Sequence, residues 1–115
     1  MTATPILVSA RKDNPLCGDT IEVSVGIVEG VLRPVGHQAH ACSLVITSAV
    51  TLLKVVDGRT IAEARVLSDR LERALRHADS LPEGCDALAP ALLLPARRRC
   101  VLLPWQALIA ALETQ

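Results

Sequence analysis

The sequence predicts an α+β fold: a three-stranded antiparallel sheet with three or four helices packed on one face. Three observations carry this. Residues 21–28 alternate, with Ile21, Val23, Val25 and Ile27 on one face and Glu22, Ser24 and Gly26 on the other, the pattern of a half-buried strand. From residue 43 onward the apolar spacing changes to a helical one. Thr60-Ile61-Ala62-Glu63 is a capping box, which opens a second helix. Strand-like patterns come first and helix-like patterns follow, so the helices can cover one sheet face.

Each element has its own warrant. Residues 5–10 (PILVSA) read as a first strand. Arg11 to Asp19 read as a polar loop, with Asn-Pro and Cys-Gly-Asp turn signals. Glu29-Gly30 is a tight turn that sends residues 31–39 back as the next strand of a hairpin. Pro34 in that return implies an edge position or a bulge. Residues 43–56 are apolar nearly all round, the pattern of a central buried helix. Asp57-Gly58 ends it. After the capping box, Ile61, Ala64, Leu67, Leu71, Ala74 and Ala78 follow helical spacing. Arg65, Asp69, Arg70, Glu72, Arg73 and Arg76 lie largely outside that stripe. Residues 79–95 form a linker with Pro82, Gly84, Pro90 and Pro95, and hold a short helical turn near 86–93. A last helix covers 98–113, with Pro104 best placed in its first turn. Cys100 then lies just before or at the helix start.

Composition sets bounds. The 115 residues suffice for one domain, spanning 1–115, with one core. That core must be aliphatic, because Trp105 is the only aromatic ring of Trp, Tyr or Phe type. Twelve basic and twelve acidic residues balance to zero, so nothing global points to nucleic acid or an anionic membrane. The N-terminus has no charged region followed by a long apolar stretch. The longest apolar run, Leu44 to Val56, is interrupted by polar residues and too short to span a bilayer. The expected setting is therefore cytoplasmic. In a reducing compartment four cysteines serve as metal ligands, catalytic thiols or buried apolar residues rather than as disulfides.

Three of those cysteines stand in distinctive contexts: NPLCGD around Cys17, HACSLVITSA around Cys42 and PARRRCVLLPW around Cys100. Asp19 lies two residues after the first. Three thiols and a carboxylate complete a tetrahedral set for a soft or borderline metal such as zinc. Cys42 and Cys100 fall at expected helix starts, where the backbone dipole favours thiolate. Arg97, Arg98 and Arg99 place positive charge beside Cys100. The spacing matches no common zinc ribbon and contains no CxxC pair. On spacing alone, small buried core residues are the favoured account of these cysteines, ahead of ligands.

The motifs also carry a family resemblance. NPLCGDTIEV resembles the NPxCGDxI motif of the IscU/NifU-type iron–sulfur scaffold family, and ACSLVITSA resembles its GCSISMASA helix start. DGRTIAEA is similar to its KGKTxEEA helix start, and PARRRCVLLPWQALIAAL to the PARxKCxxLxWxAL ending of the SufU branch. The four matches occur in family order over residues 5–115. Arg99 stands where IscU-like proteins carry a ligand histidine, and the 57 residues between Cys42 and Cys100 leave room for a segment typical of SufU. The resemblance implies a SufE/NifU-like fold and a zinc site of Cys17, Asp19, Cys42 and Cys100. It implies that Cys17 accepts persulfide sulfur from a SufS-like cysteine desulfurase. A desulfurase residue would take one ligand's place, and the freed Cys17 thiolate would attack the persulfide. Arg97 matches the PxR position and would steer a persulfide or balance the site's charge; an exposed first-turn arginine is the plainer account.

Departures are visible too. The family's N-terminal helix is missing, Ala41 replaces a glycine, Val45 a serine, and Pro104 a small polar residue. Three readings follow. The first is a zinc-dependent sulfurtransferase. The second is a scaffold that assembles an iron–sulfur cluster on the same ligands and passes it to acceptor proteins. The third is a degenerate member with a structural zinc only. His40, two residues before Cys42, is either an exchange ligand or a strand-end residue. His37 and His77 read as surface residues. Cys85 reads as a linker bystander, Trp105 as a core anchor, and the arginines of 60–78 as a solvated face able to meet an acidic partner.

Overall fold

A computed structural model describes residues 4–15, 18–77, 79–92 and 94–113. Three strands, β1 (Ile6–Asn14), β2 (Asp19–Val28) and β3 (Val31–His40), form one antiparallel sheet in the order β1-β2-β3. The helices are α1 (Ser43–Val56), α2 (Ile61–His77) and α3 (Arg98–Glu113), with a 3-10 helix at Asp86–Leu92. This is the expected α+β fold, a three-stranded antiparallel sheet with four helices against it.

The central strand explains the layering. Asp19, Ile21, Val23, Val25 and Ile27 of β2 are buried, while Thr20, Glu22 and Ser24 between them are only partly covered. The strand therefore turns its apolar face to the helices and its polar face to water. α3 packs across β1 and β2, and α1 packs against β3 and α3. The core is aliphatic apart from Trp105, which is completely buried.

The β2–β3 turn at Glu29-Gly30 has both central residues at positive φ, 53° and 79°. That is the backbone sense that matches the twist of a two-residue hairpin. Pro34 pairs with Val25, at the point where the β2–β3 register shifts. Both expectations for that proline hold: β3 is an edge strand and the ladder is irregular there.

Three expectations need correction. Residues 11–14 are strand rather than loop. Arg11 pairs with Glu22, Lys12 with Ile21 and Asn14 with Asp19. An edge strand tolerates polar side chains as long as its backbone is paired, so the polar run concealed the extension. α1 is not buried all round: Ile46 and Val50 are 40% and 39% exposed. Apolar composition cannot by itself reveal which side lacks a neighbour. Pro104 lies in the second turn of α3. A 3-10 turn at Pro95–Arg97 feeds directly into that helix, so helical backbone is established before the proline. The buried Pro104 ring offsets the hydrogen bond its nitrogen cannot donate.

The capping box is present in both directions. Thr60 N–H donates to Glu63 Oε1 at 2.9 Å, and Glu63 N–H donates to Thr60 Oγ1 at 3.1 Å. The Thr60 backbone N–H, and after it the Thr60 side chain, hold the Glu63 carboxyl below its ordinary pKa. No helix among the described residues is long and apolar enough to cross a membrane.

Candidate metal centre

Three elements deliver one potential ligand each to one place. Asp19 is the first residue of β2, Cys42 is the N-cap of α1, and Cys100 lies in the first turn of α3. Their ligand atoms all lie within 4.8 Å of one another. Two thiolates on one tetrahedral zinc at about 2.3 Å would be roughly 3.8 Å apart. Small side-chain rotations would therefore bring the three onto a single ion. Two sulfurs and a carboxylate oxygen form a donor set that zinc accepts. Cys17 lies outside the described residues. Gly18, which follows it, has φ 72° and donates its N–H to the Asn14 carbonyl at 2.9 Å. A side chain at that position would be strained.

The surroundings suit a negatively charged centre. Cys42 has extended backbone angles (φ −67°, ψ 163°), makes no side-chain cap bond, and heads a first turn with no acidic residue. The positive end of the α1 dipole is thus available to a Cys42 thiolate. Cys100 sits in the turn that contains Arg98 and Arg99. Arg98 is half-buried, and its Nε is a buried donor with no hydrogen-bond acceptor among the described residues. The positive charge of Arg98, two positions before Cys100, suits a centre of thiolates and carboxylate.

Access is one-sided among these three. Asp19 and Cys100 are buried, at 9% and 7% exposure, whereas Cys42 is half-buried. No disulfide engages Cys42, Cys85 or Cys100. His40 is exposed and is not part of the group that could hold an ion. His77 is exposed, and His37 is partly covered. Arg97 is exposed at the end of the 3-10 turn that leads into α3. Cys85, in the segment between α2 and the 3-10 helix, is fully buried. Burial, and secondarily the charge of Asp86, push its thiol pKa up.

One supporting residue escaped the sequence reading. Ser48, buried in α1, donates its hydroxyl proton to the Val101 carbonyl at 2.5 Å and accepts from Trp105 Nε1 at 3.1 Å. It joins the helix that begins at Cys42 to the residue that follows Cys100. Its signal was a mid-helix serine among apolar residues, in a chain with a single indole that needs a partner.

The model of the NifU-like N-terminal domain matches residues 3–112. The chain belongs to the NifU-like N-terminal domain family. Its relatives there include the zinc-dependent sulfurtransferase SufU of Bacillus subtilis, 28% identical over 101 residues, which are 84% of this chain and 68% of that protein. The iron–sulfur cluster assembly scaffold protein IscU of Streptococcus pyogenes is 25% identical over 109 residues, 91% of this chain and 69% of that protein. Among solved structures, the N-terminal part of a NifU-like protein from Brucella abortus superposes with TM-score 0.82 at 27% identity, over 91% of this chain and 76% of that one. FiSufU of Fervidobacterium islandicum AW-1 gives 0.78 at 22% identity, over 91% and 79%, a likeness of fold. The NifU-like family assignment therefore includes iron–sulfur cluster assembly of the SufU and IscU kind. Identities of 28% and 25% do not separate the two branches.

Proposed function

We propose that this chain is a zinc-dependent acceptor of persulfide sulfur, working with a cysteine desulfurase in iron–sulfur cluster biogenesis. The observation that carries the proposal is the convergence of Asp19, Cys42 and Cys100 within 4.8 Å. Cys17, two residues before Asp19, is the fourth ligand and the sulfur acceptor. Zinc, when bound, would keep its thiol ligands deprotonated near neutral pH. Arg99 in the position before Cys100 supports this reading over the scaffold one.

The chemistry is thiol–persulfide exchange. The Cys17 thiolate attacks the outer sulfur of the desulfurase persulfide. A sulfur–sulfur bond forms at Cys17, the one on the desulfurase breaks, and the desulfurase cysteine leaves as a thiolate. Asp19 is the harder oxygen donor of the set. Arg97, exposed beside the Cys100 turn, steers the anionic persulfide by its charge.

A scaffold role is the second reading, supported by the IscU relative and by a ligand set that iron also accepts. The test measures metal in freshly purified wild type and Cys42→Ser, then desulfurase turnover with each. About one zinc per chain, lost in the variant, together with faster turnover for wild type alone, is the expected result. Iron with a labile visible chromophore after anaerobic reconstitution would move the scaffold reading ahead. Metal-free protein from careful anaerobic preparations would end both.

A further inference from the structure

The exposed side of α2 has an irregularity that the metal centre does not use. Ala62, Val66, Arg70, Arg73 and His77 are all exposed and recur at the spacing of one helix stripe. Val66 is 57% exposed in the middle of an otherwise polar surface. A shallow groove of about 300 Å³ opens there, lined by Arg59, Ala62, Glu63, Val66, Leu67 and Arg70. Its floor is aliphatic, and its two cations are Arg59 and Arg70.

The charges in the groove are unequally committed. The Glu63 carboxylate accepts the Thr60 N–H at the helix start. Arg59 uses its Nε on the Val55 carbonyl at 2.7 Å. Among the described residues neither Arg59, Arg70 nor Arg73 forms an ion pair, whereas Arg76 is paired with Glu72. The groove thus offers an apolar strip between Arg59, which shares its end of the groove with the Glu63 carboxylate, and Arg70, two cations against one carboxylate, the complement of an acidic segment with aliphatic side chains.

We propose that this groove docks an acidic, aliphatic peptide segment of a partner protein. The occupant's spacing follows from the helix. Ile61 to Arg70 rises about 14 Å at roughly 1.5 Å per residue. An extended segment covers about 13 Å in four residues. Carboxylates at positions i and i+4 reach Arg59 and Arg70, and a leucine-like side chain at i+2, on the same face of the extended segment, lies on Val66 and Leu67. The proposal is independent of the metal centre.

The test is fluorescence anisotropy with a fluorescein-labelled Glu-Ala-Leu-Ala-Glu peptide and its Lys-Ala-Leu-Ala-Lys counterpart, titrated with the full chain at low and high salt. Expected is saturable, salt-sensitive binding of the acidic peptide only. Arg70→Glu weakens it by about tenfold or more, and Arg65→Glu, outside the groove, leaves it unchanged within about twofold. The pair Arg59→Glu and Arg70→Glu reverses the preference toward the lysine peptide, a gain that misfolding cannot produce. Equal losses in Arg70→Glu and Arg65→Glu, or no saturable binding by wild type, would overturn the proposal.

Discussion

Trp105 Nε1 donates to Ser48 Oγ at 3.1 Å, and the same hydroxyl donates to the Val101 carbonyl. One buried oxygen therefore links α1 to α3 close to Cys100. Replacing Ser48 with alanine leaves the buried indole N–H without its acceptor, at a cost of about 1–3 kcal/mol. Urea unfolding followed by far-ultraviolet circular dichroism should show the loss. A double-mutant cycle with Trp105→Phe should recover part of it as coupling. Additivity of the two changes would refute the link.

Metal should stabilise the fold through the same two helices. A ligand bound by the folded chain alone raises stability by mass action. Zinc should raise the melting temperature of wild type, and a chelator should lower it again. Cys42→Ser and Cys100→Ser should respond much less. An equal zinc response in wild type and both variants would show that the ion binds elsewhere.

Gly84 cannot carry a side chain without displacement. Its φ is 88°, and an added Cβ would lie 2.7 Å from Val55 Cγ1. Gly84→Ala should cost about 1–3 kcal/mol from backbone strain, with the Val55 contact adding to it. Val55→Ala in that background should recover only the contact share. Full recovery would show that backbone conformation contributes nothing.

Cys85 makes an alkaline prediction. Its thiol pKa is raised in the folded chain, chiefly by burial. The stability contributed by keeping the thiol protonated is fully present below the unfolded pKa of about 8.5. It is lost as pH rises through the folded value. Cys85→Ala should flatten the decline of unfolding free energy on the alkaline side. Glu63 acts at the other end. Its depressed pKa contributes stability above the unfolded value of about 4.3, lost as pH falls through the folded value. Glu63→Gln should weaken the acid dependence. Unchanged profiles in these variants would assign the slopes to other groups.

What could be read from the sequence was mostly local. The Glu29-Gly30 hairpin and the Thr60–Glu63 box each use residues a few positions apart, so their chemistry is written side by side. Pro34 announced both an edge and an irregularity. The polar residues of β1 did not announce a strand, because their pairing depends on β2. The exposed side of α1 was hidden by apolar composition, and the burial of Cys85 depends on where the 3-10 segment packs. For the candidate metal centre, residue types and family-like motifs named Cys17, Asp19, Cys42 and Cys100, of which Cys17 lies outside the described residues. Their approach is a tertiary fact that needs three elements in place. Ser48 was overlooked because its partners, Val101 and Trp105, are more than fifty positions away in sequence.

The order of elements along the chain also sets a timetable for assembly. Asp19 and Cys42 leave the ribosome with the sheet and α1, but Cys100 arrives on α3, the last element, which packs back across β1 and β2. A half-synthesised chain can close both hairpins without possessing the Asp19, Cys42 and Cys100 group. A metal ion that needs all three of these residues could therefore be held only after translation has passed Cys100.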